Sequence, residues 1–135
     1  MLTSKVVGEV RAREGKVALA VRIVAFLGRL SFGNFRQLSE VIEAAAKDGA
    51  EKVILELSGL EGMDLLSATM LARFCEKWPE KYGVSVVLAN ASISVLEVLR
   101  AGGYDVGEVW PTKEEALSAC FDDVHIFTCP AVRGG

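Results

Sequence analysis

The sequence predicts a single α/β domain built on a mixed, mostly parallel sheet of four to five strands with about four helices. Short apolar runs alternate with segments of helical spacing, which is typical of parallel strands joined by crossover helices. Two strand-like runs near the N-terminus are separated by a short glycine-containing turn, which favours an antiparallel hairpin. A chain of 135 residues suits one hydrophobic core.

Composition indicates a folded protein and narrows its partners. The chain is 51% hydrophobic with a mean hydropathy of +0.34, which is not the composition of a disordered chain. The net charge is -3 and the basic residues are dispersed, so we expect no direct nucleic-acid binding. The longest apolar run, Val17–Leu27, is broken by Arg22, so we expect no membrane insertion. The N-terminus lacks the apolar core of a signal peptide, and three cysteines without a CxxC pair suggest a reduced, cytoplasmic protein.

Five runs rich in β-branched and aliphatic residues are interpreted as strands. They are Lys5–Val10, Val17–Phe26, Lys52–Leu57, Val84–Ala89 and an edge-like run, Val106–Trp110. Four segments have helical spacing or capping residues. They are Phe32–Lys47, Asp64–Trp78, Ile93–Ala101 and a last helix from Thr112 to about Phe121. The domain is therefore expected to span residues 1–121, with a turn at Glu14–Gly15 and a partly ordered tail at residues 122–135.

The chain is organised around Val53–Trp78, which reads VILELSGLEGMDLLSATMLARFCEKW. We interpret it as a buried strand, a loop over Ser58–Met63, and a helix that Asp64 caps and Pro79 ends. A strand that leads into a helix in this way places the helix start at the carboxyl edge of the sheet. Backbone N–H groups and the helix dipole favour negative charge at such a start.

These residues resemble the central segment of a STAS domain, the fold of bacterial anti-sigma-factor antagonists. Glu56-Leu57-Ser58-Gly59 is similar to the family's strand end, and Met63-Asp64 to its Ile-Asp pair. Further similar segments follow the family's order along most of the chain. They are Phe26–Leu30, Val86–Asn90, Val98–Tyr104 and Thr112–Leu117. The resemblance implies the STAS fold and a regulatory, non-catalytic protein-interaction module.

The sequence departs from the family at the position that matters for regulation. In phosphorylatable members, the second residue after the aspartate is the serine or threonine that a partner kinase modifies; here it is Leu66. Leu65 stands where a serine is usual, and Ser67 replaces the family's glycine. Leucine has no hydroxyl, so the usual phosphoryl switch is not expected. Each residue turns a helical side chain by about 100°, so neither Ser67 nor Thr69 is an automatic substitute.

The candidate partner-binding residues lie around the helix start and extend to the neighbouring start of the first helix. They are Gly62, Met63, Asp64, Leu65, Leu66 and Ser67. Asp64 is interpreted first as a helix cap, with metal or partner contact as the alternative. Ser67 is interpreted as a small polar residue of the first turn, with phosphorylation as the alternative. Adjacent helical residues diverge, so we expect one of Leu65 and Leu66 to be exposed as a contact for a partner.

No cofactor or metal site is predicted. The single histidine, His125, has no Cys or His at metal-ligand spacing, and no serine lies in a nucleophile-elbow context. Gly102-Gly103 follows a helix without a Lys-Ser/Thr phosphate motif, so it is interpreted as a cap. An enzyme therefore has little support.

Two hypotheses about function remain open. In the first, the helix start docks a protein partner, which the resemblance implies to be an anti-sigma factor with a kinase-like fold. Loss of the hydroxyl implies that docking is constitutive or is controlled by an input other than phosphorylation at this position. In the second, the same helix start binds a small ligand or a nucleotide. Homodimer formation through exposed leucines is a further expectation.

Overall fold

The structure, a computed structural model, describes residues 1–14 and 17–126, with side chains described at 1–11 and 19–121. Four strands form one sheet in the order β1-β2-β3-β4. The strands are β1 (Leu2–Glu14), β2 (Val17–Leu30), β3 (Lys52–Met63) and β4 (Ser85–Ala89). The helices are α1 (Phe35–Lys47), α2 (Leu65–Tyr82), α3 (Ile93–Ala101) and α4 (Lys113–Ile126), with 3-10 turns at Phe32–Asn34 and Val106–Glu108. The predicted mixed α/β fold is confirmed.

The first two strands form the predicted antiparallel hairpin, and both are longer than the sequence suggested. Pairing runs from Leu2↔Gly28 to Glu14↔Val17, with an irregularity between Val6 and Gly8. Gly15 of the predicted turn, and the tail from residue 127, lie outside the described residues. The predicted end of β2 at Phe26 is wrong because Gly28, with a φ of +101°, is accommodated inside the strand next to the backbone of Met1.

The predicted loop over Ser58–Met63 is wrong, because β3 continues through it to Met63. Parallel pairing with β2 extends through Leu27↔Gly59 to Leu30↔Met63. A Cβ at Gly59 would lie 2.7 Å from the Phe26 carbonyl oxygen; the missing side chain therefore lets the two strands approach. Pairing of β3 with β4 ends at Glu56↔Ala89, so β2 and β3 project beyond β4 as a ribbon.

The sheet is covered on both faces. Helices α1, α2 and α3 pack on one face over a cluster that includes Phe26, Leu38, Leu71 and Trp78. Helix α4 covers the other face, over a smaller cluster that includes Val21, Ile54 and Cys120. This two-layered burial explains why the β2 and β3 runs are apolar on successive residues.

Two predicted helix ends are also wrong. Helix α2 passes through Pro79 and ends at Tyr82, where Gly83 adopts a left-handed conformation and donates to the Pro79 carbonyl over 3.0 Å. Proline removes one backbone donor, but the buried Trp78 beside it keeps the last turn against the core. Helix α4 continues to Ile126 instead of ending near Phe121.

The predicted edge strand Val106–Trp110 is not formed. Val106–Glu108 is a 3-10 turn, because the Asp105 carboxylate accepts a hydrogen bond from the Gly107 N–H at 2.9 Å and caps it. Only Trp110 pairs with β4, through one parallel bridge to Ala89. The sheet of the described residues therefore has four strands, the lower of the two predicted numbers.

Glu56 ties the end of β3 to the loop after β4. Its carboxylate accepts hydrogen bonds from the Ser58 N–H at 2.8 Å, the Ser58 hydroxyl at 2.7 Å and the Asn90 side-chain amide at 2.8 Å. Burial opposes ionisation of this carboxyl. The hydrogen bonds from Asn90 and Ser58, together with the charge of Lys113, outweigh that effect and lower its pKa.

We expect Glu56→Gln to lower the free energy of unfolding at pH 7 by about 1–2 kcal/mol, because the amide cannot accept all three hydrogen bonds. The folded-state pKa of Glu56 is lowered, so its contribution is complete above the unfolded pKa of about 4.3 and is lost as pH falls through the folded pKa. Urea titrations at pH 7 and pH 3 should show the difference between the two proteins shrinking in acid. Glu40→Gln, on the exposed face of α1, is the matched control. An equal difference at both pH values would contradict this role.

Candidate functional site

Three helical segments begin at one edge of the sheet. The 3-10 turn that leads into α1 follows β2, α2 follows β3, and α3 follows β4. Since β2, β3 and β4 are parallel, their carboxyl ends and the helix starts after them share this edge. This is the edge at which α/β folds of this kind present binding residues.

Asp64 connects two of these starts. One carboxylate oxygen accepts a hydrogen bond from the Ser67 N–H at 2.8 Å, and the other accepts one from the Phe32 N–H at 3.0 Å. The Asp64 N–H itself donates to the Leu30 carbonyl at 3.1 Å. The predicted helix cap is confirmed, and the same side chain also holds the entry to α1.

The carboxyl of Asp64 is stabilised in its ionised form. The Ser67 side chain lowers its pKa most, against a smaller effect of burial, and the N–H groups of Phe32 and Ser67 and the charge of Arg29 lower it further. An ionised carboxylate only accepts hydrogen bonds. Asp64 therefore satisfies one backbone donor at each start and gives the α2 start a fixed negative charge.

The side chains around Asp64 are apolar and exposed. Phe32 is 60% exposed, Leu65 55% and Leu66 49%. We expected only one of the two leucines to be exposed, and the structure exposes both. They occupy the first two positions of α2, whereas the next two residues, Ser67 and Ala68, are fully buried.

Ser67 is the buried polar residue of the first turn. Its hydroxyl lies near enough to the Asp64 carboxylate to lower the pKa of that group, but it does not meet the geometry of a hydrogen bond with any described residue. Among the described residues this hydroxyl therefore has no hydrogen-bond partner. Thr69 is half-buried, and its hydroxyl donates to the Leu65 carbonyl at 3.0 Å.

The remaining predicted residues divide between surface and interior. Met63 is 5% exposed and packs in the core. Gly62 is half-buried, and a Cβ there would lie 2.7 Å from the Arg29 guanidinium, so the glycine makes room for that side chain. We refer to the exposed part, Phe32, Asp64, Leu65 and Leu66, as the helix-start surface.

Sequence reasoning missed two features near this edge. Phe32 was assigned to the first helix without a role; it lies three residues before Phe35, a spacing that favours the same helix face, so nothing in the sequence indicated its exposure. A shallow depression of about 330 Å³ lies nearby on the projecting ribbon, lined by residues that include Leu27, Arg29 and Glu61. Arg29 and Glu61 gave no motif in the sequence, because strand pairing brings them together.

The described residues provide little for catalysis at this edge. Among them, no group of three or more His, Cys, Asp or Glu side chains has a geometry that could hold a metal ion. The Cys75 thiol lies away from the helix-start surface, and burial raises its pKa to about 12, which keeps it protonated. None of the helices in the described part of the chain has the length and apolar character needed to cross a membrane.

Comparison with solved structures finds the same fold in two settings. The anti-sigma factor antagonist SpoIIAA in its unphosphorylated form is 19% identical with a TM-score of 0.59, over 83% of this chain and 95% of that chain. The STAS domain of a SulP transporter from Vibrio cholerae is 21% identical with a TM-score of 0.53, over 74% and 84% of the two chains. The murine anion transporter Slc26a9 is 21% identical with a TM-score of 0.62, over 89% of this chain, which spans 22% of that protein.

A search of curated proteins gives no match. The family model of the STAS domain matches residues 9–116, which include most of the hairpin, the helix-start surface and the beginning of α4. STAS domains are generally non-catalytic regulatory or interaction modules. The match covers most of the chain and agrees with the fold, and on this basis the chain belongs to the STAS domain family.

Proposed function

We propose that this STAS domain is a regulatory interaction module that docks a protein partner through the helix-start surface, without a phosphorylation switch at position 66. The observation that carries the proposal is the exposure of Leu66 together with Leu65 and Phe32 around Asp64. Exposed apolar side chains that cluster at one edge are typical of protein-binding surfaces. Of the predicted residues Gly62–Ser67, the helix-start surface contains Asp64, Leu65 and Leu66, while Met63 and Ser67 are buried behind it.

The proposed partner is an anti-sigma factor, and the proposed location is the cytoplasm. The support is the likeness to SpoIIAA, an anti-sigma factor antagonist, together with the family membership. A transporter-associated role is the other setting in which the comparisons find this fold. The same leucines also offer a surface to a second copy of the chain. Sedimentation velocity of the protein alone at two concentrations detects such a homodimer and so distinguishes it from docking of another protein.

The geometry weighs against the small-ligand hypothesis. The α2 start already holds the ionised Asp64 carboxylate, which accepts from the Ser67 and Phe32 N–H groups and repels an anionic ligand. The α3 start is similarly capped, because the Ser92 hydroxyl accepts from the Val95 N–H at 3.3 Å. A nucleotide would have to displace an ionised carboxylate from the α2 start.

Leu66→Asp should weaken binding to the anti-sigma factor of the same genome at least tenfold, about 1.4 kcal/mol, because it puts a charge at the centre of an apolar contact. Isothermal titration calorimetry measures the affinity. Val7→Asp makes the same kind of change at a residue that is 41% exposed on β1, and it should leave binding unchanged. Equal affinity of wild type and Leu66→Asp, or no binding by the wild type, would overturn the proposal.

Incubation with a cognate anti-sigma kinase and ATP should leave the wild-type mass unchanged, whereas Leu66→Ser should gain one phosphoryl group. Serine restores the hydroxyl at an exposed position, while the wild-type Ser67 is buried. Intact-mass spectrometry reads the result, and Leu66→Ala is the control for loss of the leucine alone. Phosphate on Ser67 or Thr69 of the wild type would contradict the proposal, as would an unmodified Leu66→Ser protein.

Ser67→Ala should raise the free energy of unfolding by about 1 kcal/mol, because it removes a buried hydroxyl without a hydrogen-bond partner and introduces a better helix former. Urea denaturation at pH 7 measures the change. Ser39→Ala, at a half-buried position in α1, controls for helix propensity alone and should give the smaller gain. A loss of stability in Ser67→Ala would show that the hydroxyl has a structural or functional partner.

A further inference from the structure

Strand β1 forms one edge of the sheet, because the strand order is β1-β2-β3-β4. The Glu51 N–H donates to the Ala20 carbonyl at 2.9 Å, so the backbone groups of Ala20 point away from β1. Arg22 has the same orientation, because backbone groups alternate along a strand. The residues opposite them on β1 are Arg11 and Glu9. The N–H and carbonyl groups of these two residues therefore face outward, where no described strand pairs with them.

The side chains of the two outward-facing residues carry opposite charges. Glu9 and Arg11 are both exposed and lie two positions apart, on one face of the strand. The Glu9 Oε1 atom accepts two hydrogen bonds from the Arg22 guanidinium, at 3.3 and 3.1 Å, whereas Oε2 accepts none from the described residues. The Arg11 guanidinium donates to the Asp48 carbonyl at 3.4 Å. Each side chain thus has hydrogen-bonding capacity left for another molecule.

A second copy of β1 can pair antiparallel with this edge in a register that joins these charges. With the twofold axis at Val10, Glu9 lies opposite the partner's Arg11, and Arg11 lies opposite the partner's Glu9. A register centred on Glu9 or on Arg11 instead places like charges opposite each other, which is unfavourable. Charged side chains commonly protect an edge strand from pairing, but here the two signs are complementary in one register.

We propose that two copies of this chain dimerise by antiparallel pairing of their β1 strands about Val10, which joins the two four-stranded sheets into one. Regular pairing covers residues 8–12, because the irregularity between Val6 and Gly8 limits it on one side and the twofold axis repeats that limit on the other. The outward main-chain groups of Glu9 and Arg11 form the hydrogen bonds between the strands. The two Glu9–Arg11 ion pairs fix the register.

This dimer leaves the helix-start surface free. Val10 pairs with Val21, which lies about 30 Å along β2 from Leu30, the last residue before the α1 entry. Because the two β1 strands run in opposite directions, the two helix-start surfaces lie at opposite ends of the joined sheet. The dimer does not depend on the function proposed above. Where that function holds, the dimer docks two partners at once.

Sedimentation equilibrium at protein concentrations up to about 1 mM should show a monomer–dimer equilibrium. Arg11→Glu puts a carboxylate opposite Glu9 at both ion pairs and should raise the dimer dissociation constant at least tenfold. Lys5→Glu is the matched control, because it makes the same change of charge at an exposed position outside the paired residues. It should leave the dissociation constant unchanged. Leu66→Asp should do the same, which separates this dimer from one formed through the leucines of the helix-start surface.

Cysteine crosslinking tests the register directly. Val10→Cys places two thiols across the axis at a non-hydrogen-bonded pair, where the Cα atoms lie about 4.5 Å apart and a disulfide can bridge them. Mild oxidation should give a covalent dimer on a non-reducing gel. In the control Val7→Cys, the two thiols lie about 20 Å apart in this register and should not crosslink. Both variants carry Cys129→Ser, and the Cys129→Ser protein alone controls for the two other native cysteines.

A protein that remains monomeric at about 1 mM would show that the β1 edges do not pair. Equal dissociation constants of Arg11→Glu and the wild type, or equal crosslinking of Val10→Cys and Val7→Cys, would rule out the register centred on Val10. A dimer that Leu66→Asp dissociates would belong to the helix-start surface and not to β1.

Discussion

The two hydrogen bonds accepted by Asp64 determine the shape of the candidate site. One holds the first turn of α2 and the other holds the entry to α1, so a single carboxylate sets the relative position of two helix starts. Both bonds are charge-assisted, which makes them stronger than bonds between neutral groups. Because the donors are satisfied within the protein, the neighbouring apolar side chains are free to define the outer surface.

The ribbon formed by β2 and β3 makes this arrangement possible. Pairing through Leu30↔Met63 carries both strands past the end of β4, and it brings Leu30 to the Asp64 N–H, which donates to its carbonyl. Gly59 lets the strands approach, because a Cβ there would lie 2.7 Å from the Phe26 carbonyl oxygen, and the Arg29 guanidinium lies over Gly62. The positive charge of Arg29 in turn favours the ionised form of Asp64, so the ribbon supports both the position and the charge of the cap.

The sequence predicted best those features that depend on neighbouring residues. The Asp64 cap, the hairpin and the four helices are local, and the structure has them. The continuation of β3 through Ser58–Met63 was missed because glycines in that stretch indicate a loop locally, while pairing with β2 depends on residues more than 30 positions earlier in the chain. Exposure of both Leu65 and Leu66 was missed for a related reason: helical spacing shows that they diverge, but not which sides of the first turn of α2 the rest of the fold covers.

Leu66 places a side chain without a hydroxyl beside the Asp64 cap. A phosphate at this position would stand next to the Asp64 carboxylate, and two negative charges at one helix start repel each other. With leucine at positions 65 and 66 that repulsion does not arise. The charge of the helix-start surface then stays constant over the pH range in which Asp64 is ionised. Without a hydroxyl at position 66, the exposed leucines and the Asp64 carboxylate alone define the surface that we propose for docking.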